Sequence, residues 1–287
     1  MNRRQRIGFI GLGAMGLPMA KNLIKNGYIL NVSTHRNRTP VDELKELGAV
    51  EQNSVSELVS ESDIVISILP TDREMESVLL SGEVLDQLTS EKILIEMTSG
   101  SPAMMKKVDE IYKGMGVRVL DAPVSGGTAG AEKGTLTVMA GGDAKLVEEC
   151  KPIMEAMAEK IYVVGQIGAG KAIKAINQLL ASIHMIASAE ALALAEKLEI
   201  ETDILKKVVG NSSGASWMLE NKIDSLVERN FNPGFKLNLM KKDVQIAVDE
   251  AGNDKLPLAS YVLDLYKEVA NQDGERDFSA IGKKVLV

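Results

Sequence analysis

The chain has 287 residues, 45% hydrophobic and 25% charged, the balance of a folded globular protein long enough for two domains, which excludes a disordered or low-complexity segment. Its net charge of -7 leaves no basic excess to displace counterions from a phosphate backbone, so a general nucleic-acid binder is excluded and any anionic ligand has to be held by local positive groups. The single cysteine, Cys150, cannot close an internal disulfide. Beside Glu148, Glu149 and Lys151 it reads as a structural residue on a helix surface near an apolar face, in a reducing, cytoplasmic compartment.

Arg3, Arg4 and Arg6 precede an apolar, small-residue stretch to Ala20, the outline of an export signal. Cleavage there would destroy the motif that follows, so export is not expected. Residues 6–10 predict a strand and residues 17–26 a helix, joined by Gly11-Leu12-Gly13-Ala14-Met15-Gly16. Gly11 permits a tight turn, Gly13 removes the side chain that would hold a pyrophosphate off the backbone, and Gly16 lets the helix press on the strand. The unpaired N–H groups at the start of the helix then face an anion. Strand, glycine turn and helix in this order predict a dinucleotide site at Gly11, Gly13, Ala14, Met15 and Gly16.

Further strands are predicted at 29–33, 64–68, 92–96, 118–121 and 135–140, alternating with helices at 41–47, 55–60, 75–80, 102–115 and 146–157. The alternation predicts a largely parallel, doubly wound sheet of Rossmann type. Antiparallel members enter after residue 119, because 124–133 reads as a glycine-rich connection rather than a long crossover helix. Past residue 165 the pattern changes to a long helix over 171–198, followed by helices at 203–209, 216–227, 239–251, 257–270 and 279–285. The expected organisation is therefore α/β, a Rossmann-type domain over 1–165 and an all-α domain over 166–287 joined by a long helix. Residues 179–189 are apolar or small nearly all round, which predicts burial between domains or between subunits and hence a homo-oligomer, a dimer or a tetramer. No other apolar run reaches the length of a membrane span, so no membrane partner is expected.

The segment after the second strand reads Thr34-His35-Arg36-Asn37-Arg38-Thr39, and no carboxylate appears until Asp42. An NAD site usually carries an acidic residue there for the ribose hydroxyls. Thr34 and Asn37 can donate hydrogen bonds without repelling a phosphate, and Arg36 or Arg38 can grip one bidentately, which favours NADP over NAD. The same arginines also fit a solvated turn.

Farther along, Ser125 followed by Gly126 and Gly127 offers one hydroxyl and successive backbone N–H groups, a small nest for a carboxylate or simply a tight loop. Lys174 has Asn177 and Gln178 three and four residues beyond it on one helix face. A lysine turned inward shifts its pKa downward, as proton exchange near neutral pH requires, or else caps a domain interface beside an exposed Lys171. Phe235 arrives on a turn, and a helix then presents Lys242 beside Asp243, which alone is a surface charge pair. His184 reads as buried or interfacial, and two histidines with one cysteine form no metal-ligand cluster.

Together, G-F-I-G-L-G-A-M-G-L-P-M-A from Gly8, D-A-P-V-S-G-G from Asp121, G-A-G-K-A-I-K-A-I-N-Q from Gly168 and the pair Lys242-Asp243 resemble the β-hydroxyacid dehydrogenase family over nearly the whole chain. The resemblance implies an NADP(H)-dependent oxidoreductase, with NAD possible, that interconverts a small β-hydroxy acid and its semialdehyde. It implies Lys174 as acid and base, Ser125, Gly126 and Gly127 on the substrate carboxylate, and Asn177 positioning the substrate with Gln178 and Phe235 beside it. Lys242 is implied at the nicotinamide end, with Ser99, Leu69 and Pro70 beside the cofactor and Thr34, His35, Arg36 and Arg38 at its adenosine end. Gln178 stands where many relatives carry a second asparagine, and Thr34 where NAD-dependent relatives carry an acid. The alternatives are a non-catalytic NADP-binding sensor or scaffold, and an imine-reductase-like enzyme, which generally lacks the lysine.

Overall fold

The computed structural model describes residues 5–286, so Arg3 and Arg4 of the export-like start lie outside the described residues. The first part runs β1 (Arg6–Ile10), α1 (Gly16–Lys25), β2 (Ile29–Ser33), α2 (Thr39–Glu46), β3 (Val50–Gln52), α3 (Val55–Ser60), β4 (Ile64–Ser67), α4 (Asp72–Leu79) and α5 (Gly82–Leu85). It continues through β5 (Ile93–Glu96), α6 (Pro102–Gly114), β6 (Arg118–Asp121), β7 (Val124–Ser125), α7 (Gly127–Lys133), β8 (Leu136–Gly141), α8 (Ala144–Glu155) and β9 (Ala158–Gly165). The remainder is α9 (Ala169–Lys197), α10 (Thr202–Gly210), α11 (Trp217–Val227), α12 (Leu237–Ala251), α13 (Pro257–Asp273) and a closing 3-10 helix, Phe278–Lys284. Two compact units divide within α9, between Lys174 and Ala175.

In the first unit the strands order as β3-β2-β1-β4-β5-β6-β8-β7, with β9 beside β8. Pairing is parallel from β3 to β6, antiparallel where β8 meets β6 and β7, and parallel again between β8 and β9. The central strands are runs of Ile, Val and Leu buried on both faces, as a sheet covered on two sides requires. Met19 and Leu23 of α1, Val41 and Leu44 of α2 and Val147 of α8 pack on one face. Leu58 of α3, Met75 of α4, Met105 and Tyr112 of α6 pack on the other. Ser54, Ser101 and Asp143 cap α3, α6 and α8 by accepting backbone N–H groups of the first turn, which fixes where those helices begin. In the second unit the core joins Met185 and Leu192 of α9, Leu219 and Ile223 of α11, Met240 and Val244 of α12, Tyr266 of α13 and Ile281.

Several expectations are corrected. Residues 124–133 form β7 and α7 rather than an open connection: Gly126 and Gly127 take φ of 133° and 64°, turning the chain sharply into a helix whose Ala131 is buried in the core and accepts from Asn22 of α1. The strands β3 and β9 were not expected. Cys150 lies on the buried side of α8 rather than near its surface, and burial, helped by Glu149, pushes its thiol pKa up to about 12. By length and apolar composition α9 could cross a bilayer, contrary to the expectation that no run is long enough; half of its apolar window is buried inside the protein, as in a core helix.

Candidate active site

The order of strands reverses on either side of β1, and in such sheets the crevice lies beyond the carboxyl ends of the strands at that point. β1 leads there into the glycine turn. Gly11 has φ of 98°, and a Cβ on it would stand 2.1 Å from the Ile68 carbonyl oxygen; one on Gly16 would stand 1.8 Å from the Gly11 carbonyl oxygen. Neither backbone contact can yield, so both positions demand glycine. A Cβ on Gly13, by contrast, would meet nothing within 4 Å. The turn is thus closed on the protein side and open above Gly13, which fits a pyrophosphate resting on backbone. α1 begins at Met15 without a side-chain cap and with no acidic residue in its first turn, leaving its N–H groups to an anion. Leu69 and Pro70 follow β4 at the same edge, with the Leu69 N–H donating to Thr98 Oγ1 (2.8 Å) and Ser99 next in the chain.

Beyond β2, Thr34 is partly buried while His35, Arg36 and Arg38 are exposed. The expectation that no carboxylate stands here is corrected: Glu51 of β3 brings one across. β3 pairs in parallel with β2, Val32 opposite Glu51, and the Thr34 hydroxyl donates to Glu51 Oε1 at 3.2 Å. Arg38 donates from both terminal nitrogens to the two Glu51 oxygens, each at 2.9 Å, and its Nε lies 3.1 Å from Asp42. Lys45 adds a 2.7 Å contact. Hydrogen bonds from Arg38 and then Lys45 hold the Glu51 carboxyl well below the usual carboxylate range. A residue 17 positions from Thr34 carries no local signal of this role in the sequence.

Lys171 is also corrected, from exposed to fully buried. Its ammonium pairs with Glu96 at the end of β5 and lies 3.3 Å from Asp121 at the end of β6, both carboxylates being buried. Burial alone would lower the Lys171 pKa; Glu96 and then Asp121 outweigh it and raise it. Asp121 also accepts the backbone N–H groups of Gly168 (2.9 Å) and Lys171 (3.1 Å), capping α9 from a distant strand. The helix start approaches that strand so closely that a Cβ on Gly170 would stand 2.8 Å from the Asp121 carbonyl oxygen and 2.5 Å from that of Met139. One turn farther along α9, Lys174 is buried at 8% exposure, as its inward reading required. Ser125 is half-buried, and Gly126 and Gly127 are exposed, both at positive φ.

In the second unit, Asn177 Nδ2 donates to Gln178 Oε1 at 3.1 Å, and Gln178 Nε2 donates to Asp243 Oδ2 at 2.8 Å. The other Asp243 oxygen lies 2.9 Å from Lys242 Nζ. Asp243 and Gln178 are buried, so this row ties α9 to α12 and orients the more exposed Asn177 and Lys242. Phe235 is half-buried and edge-on to Phe278, ring centroids 6.1 Å apart. Asp277 fixes its loop by accepting the N–H groups of Gly234 (3.0 Å) and Phe235 (3.1 Å) and pairing with Lys222. His184 is partly buried.

A largely parallel sheet with this glycine turn at its switch point, a buried lysine on the helix that leaves it, and an amide row in the helical unit that follows define a nicotinamide-nucleotide-dependent oxidoreductase. Residues 6–165 match the family described as the NAD binding domain of 6-phosphogluconate dehydrogenase, and residues 168–285 the one described as the NAD-binding of NADP-dependent 3-hydroxyisobutyrate dehydrogenase. The chain is 38% identical to an NAD-dependent L-serine dehydrogenase of Pseudomonas aeruginosa, over 97% of each. It is 36% identical to the 2-hydroxy-3-oxopropionate reductase of Escherichia coli, over 86% of this chain and 84% of the relative. Its fold superposes on a solved structure of Mycobacterium tuberculosis 3-hydroxyisobutyrate dehydrogenase with L-serine at a TM-score of 0.89, 32% identity and coverage of 99% of this chain and 100% of that one. The chain belongs to the β-hydroxyacid dehydrogenase family and is an NAD(P)-dependent dehydrogenase or reductase acting on hydroxyl groups.

Proposed function

We propose that this enzyme interconverts a small β-hydroxy acid and its semialdehyde, with Lys174 as acid and base and NADP(H) preferred over NAD(H). The observation that carries the reading is the burial of Lys174 one turn beyond a helix start that Asp121, Glu96 and Lys171 hold to the sheet. Burial keeps Lys174 Nζ from bulk water, so a proton it exchanges passes to or from a bound substrate oxygen rather than solvent. When bound, the reduced nicotinamide supplies a hydride to the aldehyde carbon. In that direction Lys174 Nζ, as the ammonium, donates a proton to the carbonyl oxygen; in the other, the neutral amine takes the proton of the alcohol.

The Ser125 hydroxyl and the N–H groups of Gly126 and Gly127 receive the substrate carboxylate, Asn177 steadies the substrate with Phe235 beside it, and Lys242 reaches the nicotinamide end. Gln178 acts from behind, through its bonds to Asn177 and Asp243. The relatives support the substrate class: serine, 3-hydroxyisobutyrate and 2-hydroxy-3-oxopropionate all carry a carboxylate with an oxygen function on the β carbon. Arg36, Asn37 and Arg38, in a segment whose own residues lack an acid before Asp42, support the NADP preference. A second copy of the chain is expected to cover the apolar side of α10, where Ile204 and Val208 are 53% and 57% exposed and no residue is buried. Light scattering in solution reads that assembly directly. A single, inert cysteine suits a cytoplasmic protein.

The test is turnover by the purified enzyme against a panel of semialdehydes and β-hydroxy acids with both cofactors. Turnover of carboxylate-bearing members alone supports the reading. Nucleotide binding without any turnover supports the sensor instead.

A further inference from the structure

We infer that Glu51 is a specificity-determining residue of the cofactor site: its carboxylate occupies the Arg38 fork that a 2′-phosphate needs, and so restrains the preference for NADP(H). The inference rests on the reading that Arg38 grips that phosphate.

Bidentate recognition of a phosphate uses two parallel N–H groups of one guanidinium, the geometry that Glu51 already satisfies at 2.9 Å on both oxygens. Asp42 takes the remaining Nε, so carboxylates face all three Arg38 nitrogens. Glu51 is the better held partner. It sits on a strand in register with β2, its side chain 22% exposed against 55% for Arg38, and Lys45 and the Thr34 hydroxyl hold the same carboxylate. A phosphate arriving at Arg38 therefore meets a fixed negative charge and has to displace it from the fork. A bare ribose has no such contest, and the carboxylate beside Thr34 stands where NAD sites place their ribose acceptor, here supplied from the neighbouring strand. Like charges a few ångströms apart repel by about 1 kcal/mol even at the dielectric of water, roughly a fivefold change in affinity, enough to set a cofactor ratio.

The experiment is calorimetric titration of NADPH and of NADH, without substrate, into the wild-type enzyme, Glu51→Gln and Arg38→Ala, with thermal melting to show that each variant is folded. Glu51→Gln keeps the shape and a donor–acceptor pair but removes the charge. The expected result is that it lowers the ratio of the NADPH to the NADH dissociation constant by at least about fivefold, while Arg38→Ala raises that ratio. A ratio unchanged or raised in Glu51→Gln, with Arg38→Ala still raising it, overturns the inference and leaves the phosphate grip standing; Glu51 then only orients the fork. A ratio that neither variant moves overturns the grip itself, and the inference with it.

Discussion

Asp121 receives Lys171 twice, through the backbone N–H at 3.1 Å and through the ammonium at 3.3 Å, so one carboxylate both caps α9 and neutralises the lysine that follows the cap. Because Lys171, Asp121 and Glu96 are all fully buried, removing one partner strands the others without water. Lys171→Met is expected to cost about 3–5 kcal/mol, read as the shift in the denaturant midpoint. The linkage has a definite sign. The Lys171 pKa is raised in the folded state, so its contribution is complete below the unfolded value of 10.5 and is lost only as pH rises through the still higher folded value; stability from this group should be flat between neutrality and pH 10.5.

The glycine turn separates folding from binding. Gly13→Ala meets open space, so the variant should melt within about 1 °C of wild type. It should nonetheless bind NADPH at least roughly tenfold more weakly, because the methyl group stands where the pyrophosphate approaches the backbone. Calorimetric titration beside thermal melting reads both quantities, and unchanged affinity would remove the turn from the cofactor site.

Asp277 carries the acid-side prediction. Burial raises its pKa, but Lys222, Ser279 and the Phe235 N–H together outweigh burial and leave it lowered. Its contribution is therefore present above the unfolded value of 3.8 and is lost as pH falls through the lower folded value. Asp277→Asn should flatten that part of the acid-unfolding curve. Because it loosens the Gly234–Phe235 loop, it should also raise KM for the substrate more than it lowers kcat, as steady-state kinetics would reveal.

Cys150 should be silent in the folded protein. Its thiol is buried and its pKa pushed up to about 12, so an alkylating agent at neutral pH should modify it only after denaturation, as mass spectrometry of both states would show.

The sequence made much of this legible because the central strands are short β-branched runs and the helices between them carry apolar faces. β1, β2 and β6 begin and end at the predicted residues. β3 and β9 were hidden for physical reasons: β3 is three residues, Val-Glu-Gln, and β9 pairs with one neighbour only, so it is largely exposed and carries Glu159-Lys160 near its start, without the apolar alternation of a half-buried strand. The glycine turn could be read from spacing because its parts are local. Lys171 could not, since the carboxylates that bury it lie 50 and 75 residues away, and a lysine without visible partners reads as exposed. Glu51 escaped for the same reason. Its place beside Thr34 is set by the register of two strands, not by the residues between them.

The measurement that bears most directly on the central claim is single-turnover reduction of an accepted semialdehyde by Lys174→Ala, beside calorimetric titration of NADPH. The account predicts hydride transfer slowed by at least ~10²-fold with the dissociation constant for NADPH nearly unchanged. Transfer at the wild-type rate by a variant that binds NADPH normally would contradict it.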